Sequence, residues 1–311
     1  MNLIGTTCNG TDSSHRRVQH DGIGGSNAEA PKISRQLLPG MRHGVSFCVA
    51  MKKKILLPLC LYAAAGCATT PVLQNSTPPA NGVELLTRMH DAYTGRWPKT
   101  ITFVQQTIVT HPNGVVDTTT WYEALKSPDR LRIDFGDPSK GNGALYTTDS
   151  LYVMRGGKIT RTIPSGNPFL PFVAGVYDQP VDTTLRQLAS WKFDLTKIRT
   201  DTWEGAPVFV VGSSSSTDLD SPQFWVEREH LQPVRFLVKL SPAPDAKPND
   251  IRLQKYVPVG GGWLATRVEI REGSIIRQAE EYSNWKGGVS LPNDFFVAEK
   301  WSDTPHWFRG S

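Results

Sequence analysis

Between residues 100 and 285 the chain is punctuated by turn signals roughly every 8–12 residues, and the stretches between them are rich in β-branched and aromatic side chains. That rhythm favours an antiparallel sandwich or barrel over a parallel α/β sheet, in which long amphipathic helices would separate the strands. The stretch 100–110 (TITFVQQTIVT) is β-branched almost throughout, and the Asn113-Gly114 pair after it is a hairpin signal. The returning strand covers 115–126, and Pro128-Asp129 marks the next turn. Leu131, Ile133 and Phe135 then alternate with Arg130, Arg132 and Asp134, the pattern of a sheet with one face in water. Shorter strands follow at 144–148, 151–154 and 158–163, and strands resume at 208–211, 223–229, 234–240, 251–257, 263–271 and 275–285. The expectation is a meander of about ten or eleven antiparallel strands.

Two helices interrupt this pattern. In the first, 83–93 (VELLTRMHDAY), Asn81 is placed to cap, and Val83, Leu86, Met89 and Tyr93 fall at helical spacing. The second, TTLRQLASWKF, is capped by Asp182 and carries Leu185, Leu188 and Ala189 on one side. Between them lies 164–181 (PSGNPFLPFVAGVYDQPV), an apolar, proline-punctuated loop that no regular period explains.

Ahead of the β-rich part stands a leader. In 51–67 (MKKKILLPLCLYAAAGC), three lysines precede an uncharged apolar run, which is shorter than the roughly 20 residues a spanning helix needs. Ala64, Ala65 and Gly66 lead to Cys67; this resembles the lipobox of bacterial lipoproteins, with Ala64 standing where leucine is usual. The resemblance implies cleavage before Cys67 and lipid attachment to that cysteine. Ala68 after it, in place of an aspartate, implies the outer rather than the inner membrane. Residues 1–50 are polar and aperiodic, and Met51 followed by lysines looks like the true start, so 1–50 is read as misannotated or as a disordered extension. Residues 67–82, rich in Thr, Pro, Ser and Asn, read as a flexible tether, and 299–311 as a C-terminal tail.

The leader also carries the charge. Of 34 basic and 29 acidic residues in the chain, the first 66 hold 8 and 3, which leaves 26 of each sign. The near-neutral remainder gives nucleic-acid binding no support. All four cysteines lie at or before residue 67, so the β-rich part has no disulfide, thiolate metal site or cysteine nucleophile.

The order of elements resembles the periplasmic lipoprotein-carrier superfamily, the LolA/LolB-like proteins. The resemblance runs over 83–298 and rests on the opening helix, 101–109 (ITFVQQTIV), 122–135 (YEALKSPDRLRIDF) and 146–159 (YTTDSLYVMRGGKI). It continues through 224–239 (FWVEREHLQPVRFLVK) and 280–296 (EEYSNWKGGVSLPNDFF), where Tyr282, Asn284, Leu291, Pro292 and Phe296 match the family's closing pattern. It implies a mainly β fold: a curved, incomplete antiparallel barrel with helices as a lid over its open side and an apolar cavity between them. By alternation, Phe103, Ile133, Phe135, Phe236 and Val238 are assigned to the cavity, with Val104 and Ile108 under the helices. Phe169, Leu170, Phe172 and Val173 are either a lid or membrane-contact loop, or core beneath the second helix.

No catalytic or metal constellation emerges. His90, His111, His230 and His306 are scattered without ligand spacing, and Ser213–Ser216 lacks the second glycine of a nucleophile elbow. Gly260-Gly261-Gly262 precedes a strand and reads as a hairpin turn; the acid pairs Glu227/Glu229 and Glu280/Glu281 read as a salt-bridged solvent face. No cofactor is implied. The expected function is non-enzymatic binding or transfer of a lipid, a lipoprotein acyl chain or another hydrophobic ligand in the bacterial envelope. The alternative is an anchored structural or sensor module that binds an envelope protein.

Overall fold

A computed structural model of the chain describes residues 77–241 and 246–308. The readings made for 1–50, the leader 51–66, Cys67 and the tether up to residue 76 lie outside the described residues.

Helix α1 (Gly82–Tyr93) opens the described chain, and the Asn81 side chain accepts a hydrogen bond from the Glu84 amide at 2.9 Å, the expected cap. Its buried face is Leu85, Leu86, Met89 and Tyr93. Val83 is 40% exposed; Leu85 takes the place assigned to it.

Strands β1 (Thr100–Thr110), β2 (Val116–Lys126), β3 (Arg130–Phe135), β4 (Gly143–Tyr146), β5 (Leu151–Arg155) and β6 (Lys158–Ile163) form one meander outward from β1. A second meander starts at the opposite edge with β7 (Ile198–Trp203), β8 (Ala206–Val211), β9 (Gln223–Glu227) and β10 (Pro233–Val238). It runs on through β11 (Asn249–Val259), β12 (Gly262–Glu272) and β13 (Ile275–Gly287), and β13 pairs with β1. The result is one 13-stranded antiparallel sheet, curved and unclosed, with β6 and β7 as its two edges. Thirteen strands exceed the expected ten or eleven, and β7 is the one strand with no counterpart among the stretches read from sequence. Its sequence IRTDTW has apolar residues only at its ends and on opposite faces, so no period marks it; pairing with β8 makes it a strand.

Between β6 and β7 the chain makes a π-helical turn (Pro171–Gly175), then α2 (Val176–Asp178) and α3 (Val181–Leu188). Asp182 does not cap α3: the helix starts one residue earlier behind Pro180, and Asp182 sits in its first turn, where its charge meets the positive end of the helix. Ala189 is exposed, because α3 stops at Leu188 and gives way to a 3-10 turn (Ala189–Trp191).

These helices and α1 lie against the inner face of the sheet over a core that includes Leu86, Met89, Ile101, Ile133, Phe172, Phe224 and Phe236. The middle of the 164–181 segment, Leu170 to Tyr177, belongs to this core. Leu170 and Phe172 are 3% and 1% exposed, and the Phe172 ring meets Phe193, Phe224 and Phe236 at centroid distances of 5.7, 5.2 and 4.7 Å.

The outer face is not uniformly wet. Arg132 and Asp134, expected in water, are 3% and 0% exposed, because the segment after β13 folds back across β2–β5. Phe295, Phe296, Ala298 and Trp301 pack there on Ala124, Leu145 and Met154. The Arg132 guanidinium sits 3.8 Å from the Trp301 ring and 4.4 Å from that of Phe295, and it grips Asp134 through two hydrogen bonds of 2.9 and 3.2 Å. His306 Nε2 reaches the same carboxylate at 3.0 Å.

Candidate functional site

On strand β1, Ile101, Phe103 and Gln105 share one parity and point to the inner face; on β2 the same face carries Trp121, Glu123 and Leu125, and on β3 Leu131 and Ile133. These side chains form one wall of a cavity of about 200 Å³. Phe236, Ile251, Leu253, Leu264, Val268 and Ile270 from β10–β12 form the facing wall, and Phe169, Leu170, Val173 and Tyr177 cover it from the helical interlude. Typical small-molecule pockets run to about 300–1,000 Å³, so this one has room for a slender molecule rather than a bulky one.

A β-bulge shapes the wall. Between the β1 positions Thr102 and Val104 the partner strand advances by three residues, from Lys286 to Ser283, and Asn284 in this extra step has φ +56°. Because of that step Tyr282 and Trp285, an odd number of residues apart, both line the cavity. Both rings pack on Phe103, at 5.6 and 4.3 Å between centroids.

The expected lining residues divide accordingly. Phe103, Ile133 and Phe236 line the cavity; Phe135 and Val238 share their face and pack in or against the surrounding core without lining it. Val104 and Ile108 are not under the helices, because the two-residue period of β1 turns them to the face opposite Phe103. Of the four loop residues, Phe169, Leu170 and Val173 line the cavity, while Phe172 packs beside it.

Two acidic residues were not singled out as lining. Glu123 is 3% exposed, and among the described residues its Oε1 has no hydrogen-bond partner. Burial, with the Glu280 charge added, pushes its carboxyl well above the ordinary 4.5. Glu280 also lines the cavity, which corrects its reading as a solvent-face residue; only Glu281 is ion-paired, with Arg267. Burial raises the Glu280 carboxyl above 4.5 even though hydrogen bonds from Tyr282 and Gln278 pull it down. Glu227 is likewise not a solvent-face acid: it is 8% exposed and accepts from the amides of Glu229 and His230 at 2.5 and 2.8 Å, holding the turn before β10. A signal for Glu123 existed in WYEALK, where Glu123 stands at the parity of Trp121 and Leu125, a polar residue in an apolar row. The same test fails for Glu280 beyond Tyr282, because the bulge breaks the parity.

Among the described residues no group of His, Cys, Asp or Glu is arranged to hold a metal ion, and no helix is long and apolar enough to cross a membrane.

No protein-family model matches the chain, and no curated protein matches it. Solved structures do. A DUF1329 family protein from Desulfovibrio piger is 16% identical, with a TM-score of 0.47 over 69% of this chain and 95% of its own. A LolA superfamily protein from Nitrosomonas europaea is 13% identical, with a TM-score of 0.44 over 69% of this chain and 97% of its own. A domain described as an outer membrane lipoprotein-sorting protein, from Vibrio parahaemolyticus, is 12% identical, with a TM-score of 0.47 over 71% of this chain and 98% of its own.

Proposed function

We propose that the chain binds a lipid, a lipoprotein acyl chain or a similar slender hydrophobic ligand in the bacterial envelope, without covalent chemistry, and that Cys67 anchors it by lipid to the outer membrane. The observation that carries the reading is the cavity itself: about 200 Å³ walled by Ile101, Phe103, Leu131, Ile133, Phe236 and Ile251, beneath a helical cover. Folded chains do not ordinarily leave such a volume between well-packed layers. A hydrocarbon chain gains about 0.8 kcal/mol for each methylene moved from water into such a lining. The lipobox-like leader and the order of strand and turn motifs agree with this reading.

The test is native mass spectrometry with lipid extraction on the full chain purified from a periplasmic expression host, with non-covalent lipid told from any lipid on Cys67 by comparing native and denatured masses. Co-purifying lipid or acyl chains are expected. A mass that stays bare when lipid is offered would overturn the carrier reading in favour of an anchored module that binds an envelope protein. Anchoring is tested separately: labelled fatty acid is expected in the wild-type protein and not in Cys67→Ala.

A further inference from the structure

Among the described residues the lining of the cavity contains no Lys, Arg or His, yet it contains two carboxyls, Glu123 and Glu280. They flank β1 on either side: Glu123 on β2 pairs in register with Phe103 of β1, and Glu280 on β13 with Thr107 of β1. Gln105, which lines the cavity, lies between those two positions and spends its amide on Thr107 at 2.7 Å. Glu280 is partly satisfied by Tyr282 and by Gln278 at 2.6 Å; Glu123 Oε1, inside an apolar wall, has nothing among the described residues. An unpartnered buried polar atom of this kind costs about 1–3 kcal/mol, and an apolar residue in its place would line the cavity without that penalty.

We propose that the cavity selects an amphiphile bearing a protonated amine, with the ammonium held by Glu123 and Glu280 and the hydrocarbon lying along the apolar wall. The proposal rests on the ligand-binding reading above and names the chemistry of the ligand. An ammonium supplies the donors that Glu123 lacks, and its charge favours the ionised carboxylate form that burial by itself disfavours, the displaced proton going to solvent. The aromatic faces of Phe103, Trp121, Tyr282 and Trp285 around them suit a cation as well. An anionic head group finds the opposite: two acids and no balancing cation in the lining.

The experiment titrates the purified full chain near neutral pH with decylamine, decanol and decanoate, following the fluorescence of Trp121, Trp263 and Trp285, all of which line the cavity. Decylamine is expected to bind about tenfold more tightly than decanol, or better, the least a charge-assisted contact contributes, and decanoate more weakly than either. Glu123→Gln combined with Glu280→Gln is expected to bring the amine-to-alcohol ratio to about one. Equal affinity for decylamine and decanol, or a preference for decanoate, would overturn the amine proposal while leaving the hydrophobic-ligand reading intact. Failure of all three to bind would overturn both. The comparison of the three ligands on the unaltered protein decides the matter even where a variant fails to fold.

Discussion

Glu123 stands on β2 beside Phe103 of β1, its side chain buried in the cavity wall. Burial, with the Glu280 charge added, raises the carboxyl of this glutamate on a central strand well above its ordinary value, and Tyr146 and Tyr282 feel its charge. Because the folded-state pKa values of Glu123 and Glu280 lie above the ordinary 4.5, the folded protein binds more protons than the unfolded chain as pH rises past that value. Their contribution is fully present below 4.5 and is lost as pH climbs through the raised values. Denaturant unfolding of the empty protein is therefore expected to show lower stability at about pH 8 than at about pH 5, with a smaller slope in Glu123→Gln. Glu123→Leu removes the unpartnered oxygen and is expected to stabilise the empty protein by about 1–3 kcal/mol. A loss of stability in that variant would show that Glu123 has a partner within the fold. Phe172, with three aromatic neighbours, is a purely structural residue at this scale: Phe172→Ala is expected to cost about 3–5 kcal/mol by thermal or denaturant unfolding.

At the scale of elements, two features decide what the sheet presents to each side. The bulge at Asn284 brings Tyr282 and Trp285 to the same face, and φ +56° there suits Asn or Gly but not a branched side chain. Asn284→Gly is expected to be near neutral, and Asn284→Val to destabilise by about 1–2 kcal/mol, both read from the unfolding midpoint. The second feature is the C-terminal segment, which converts part of the outer face into a second core. Trp301, 3% exposed, covers the buried Arg132–Asp134 pair. Trp301→Ala is expected to cost about 3–5 kcal/mol, since it removes the cation–π contact and opens the ion pair to water. Asp134→Ala, which leaves Arg132 buried without its counter-ion, is expected to cost about the same.

For the molecule as a whole, the arrangement is a single open sheet that covers its inner face with helices drawn from both halves of the chain: α1 precedes the first meander, and the π-turn, α2 and α3 separate the two. The cavity lies where the meanders meet, with lining from β1, β2 and β3 on one side and β10–β13 on the other. A ligand bound there contacts strands distant in sequence, so saturating ligand is expected to raise the midpoint of a single cooperative unfolding transition. At one hundred times its Kd a ligand adds about 2.7 kcal/mol. A ligand that left the transition unmoved at such concentrations would not be occupying this cavity.

The strands at 100–110, 115–126, 130–135 and 275–285, the first helix with its Asn81 cap and the glycine hairpin at 260–262 were legible from local pattern, because side-chain period and turn chemistry depend on near neighbours alone. The mainly β class and the apolar rows of Phe103, Ile133 and Phe236 followed from the same period. Other features depend on contacts between residues far apart in the chain. The pairing of β1 with β13, the strand identity of β7, and the burial of Arg132 and Asp134 under a segment some 170 residues later are of this kind. So is the placing of Glu123 and Glu280 in one cavity, since their strands β2 and β13 lie far apart in the chain and are brought together only through β1. Local sequence determines which face a side chain occupies; only the closure of the two meanders onto each other decides whether that face meets water, a second core or a ligand-sized hollow.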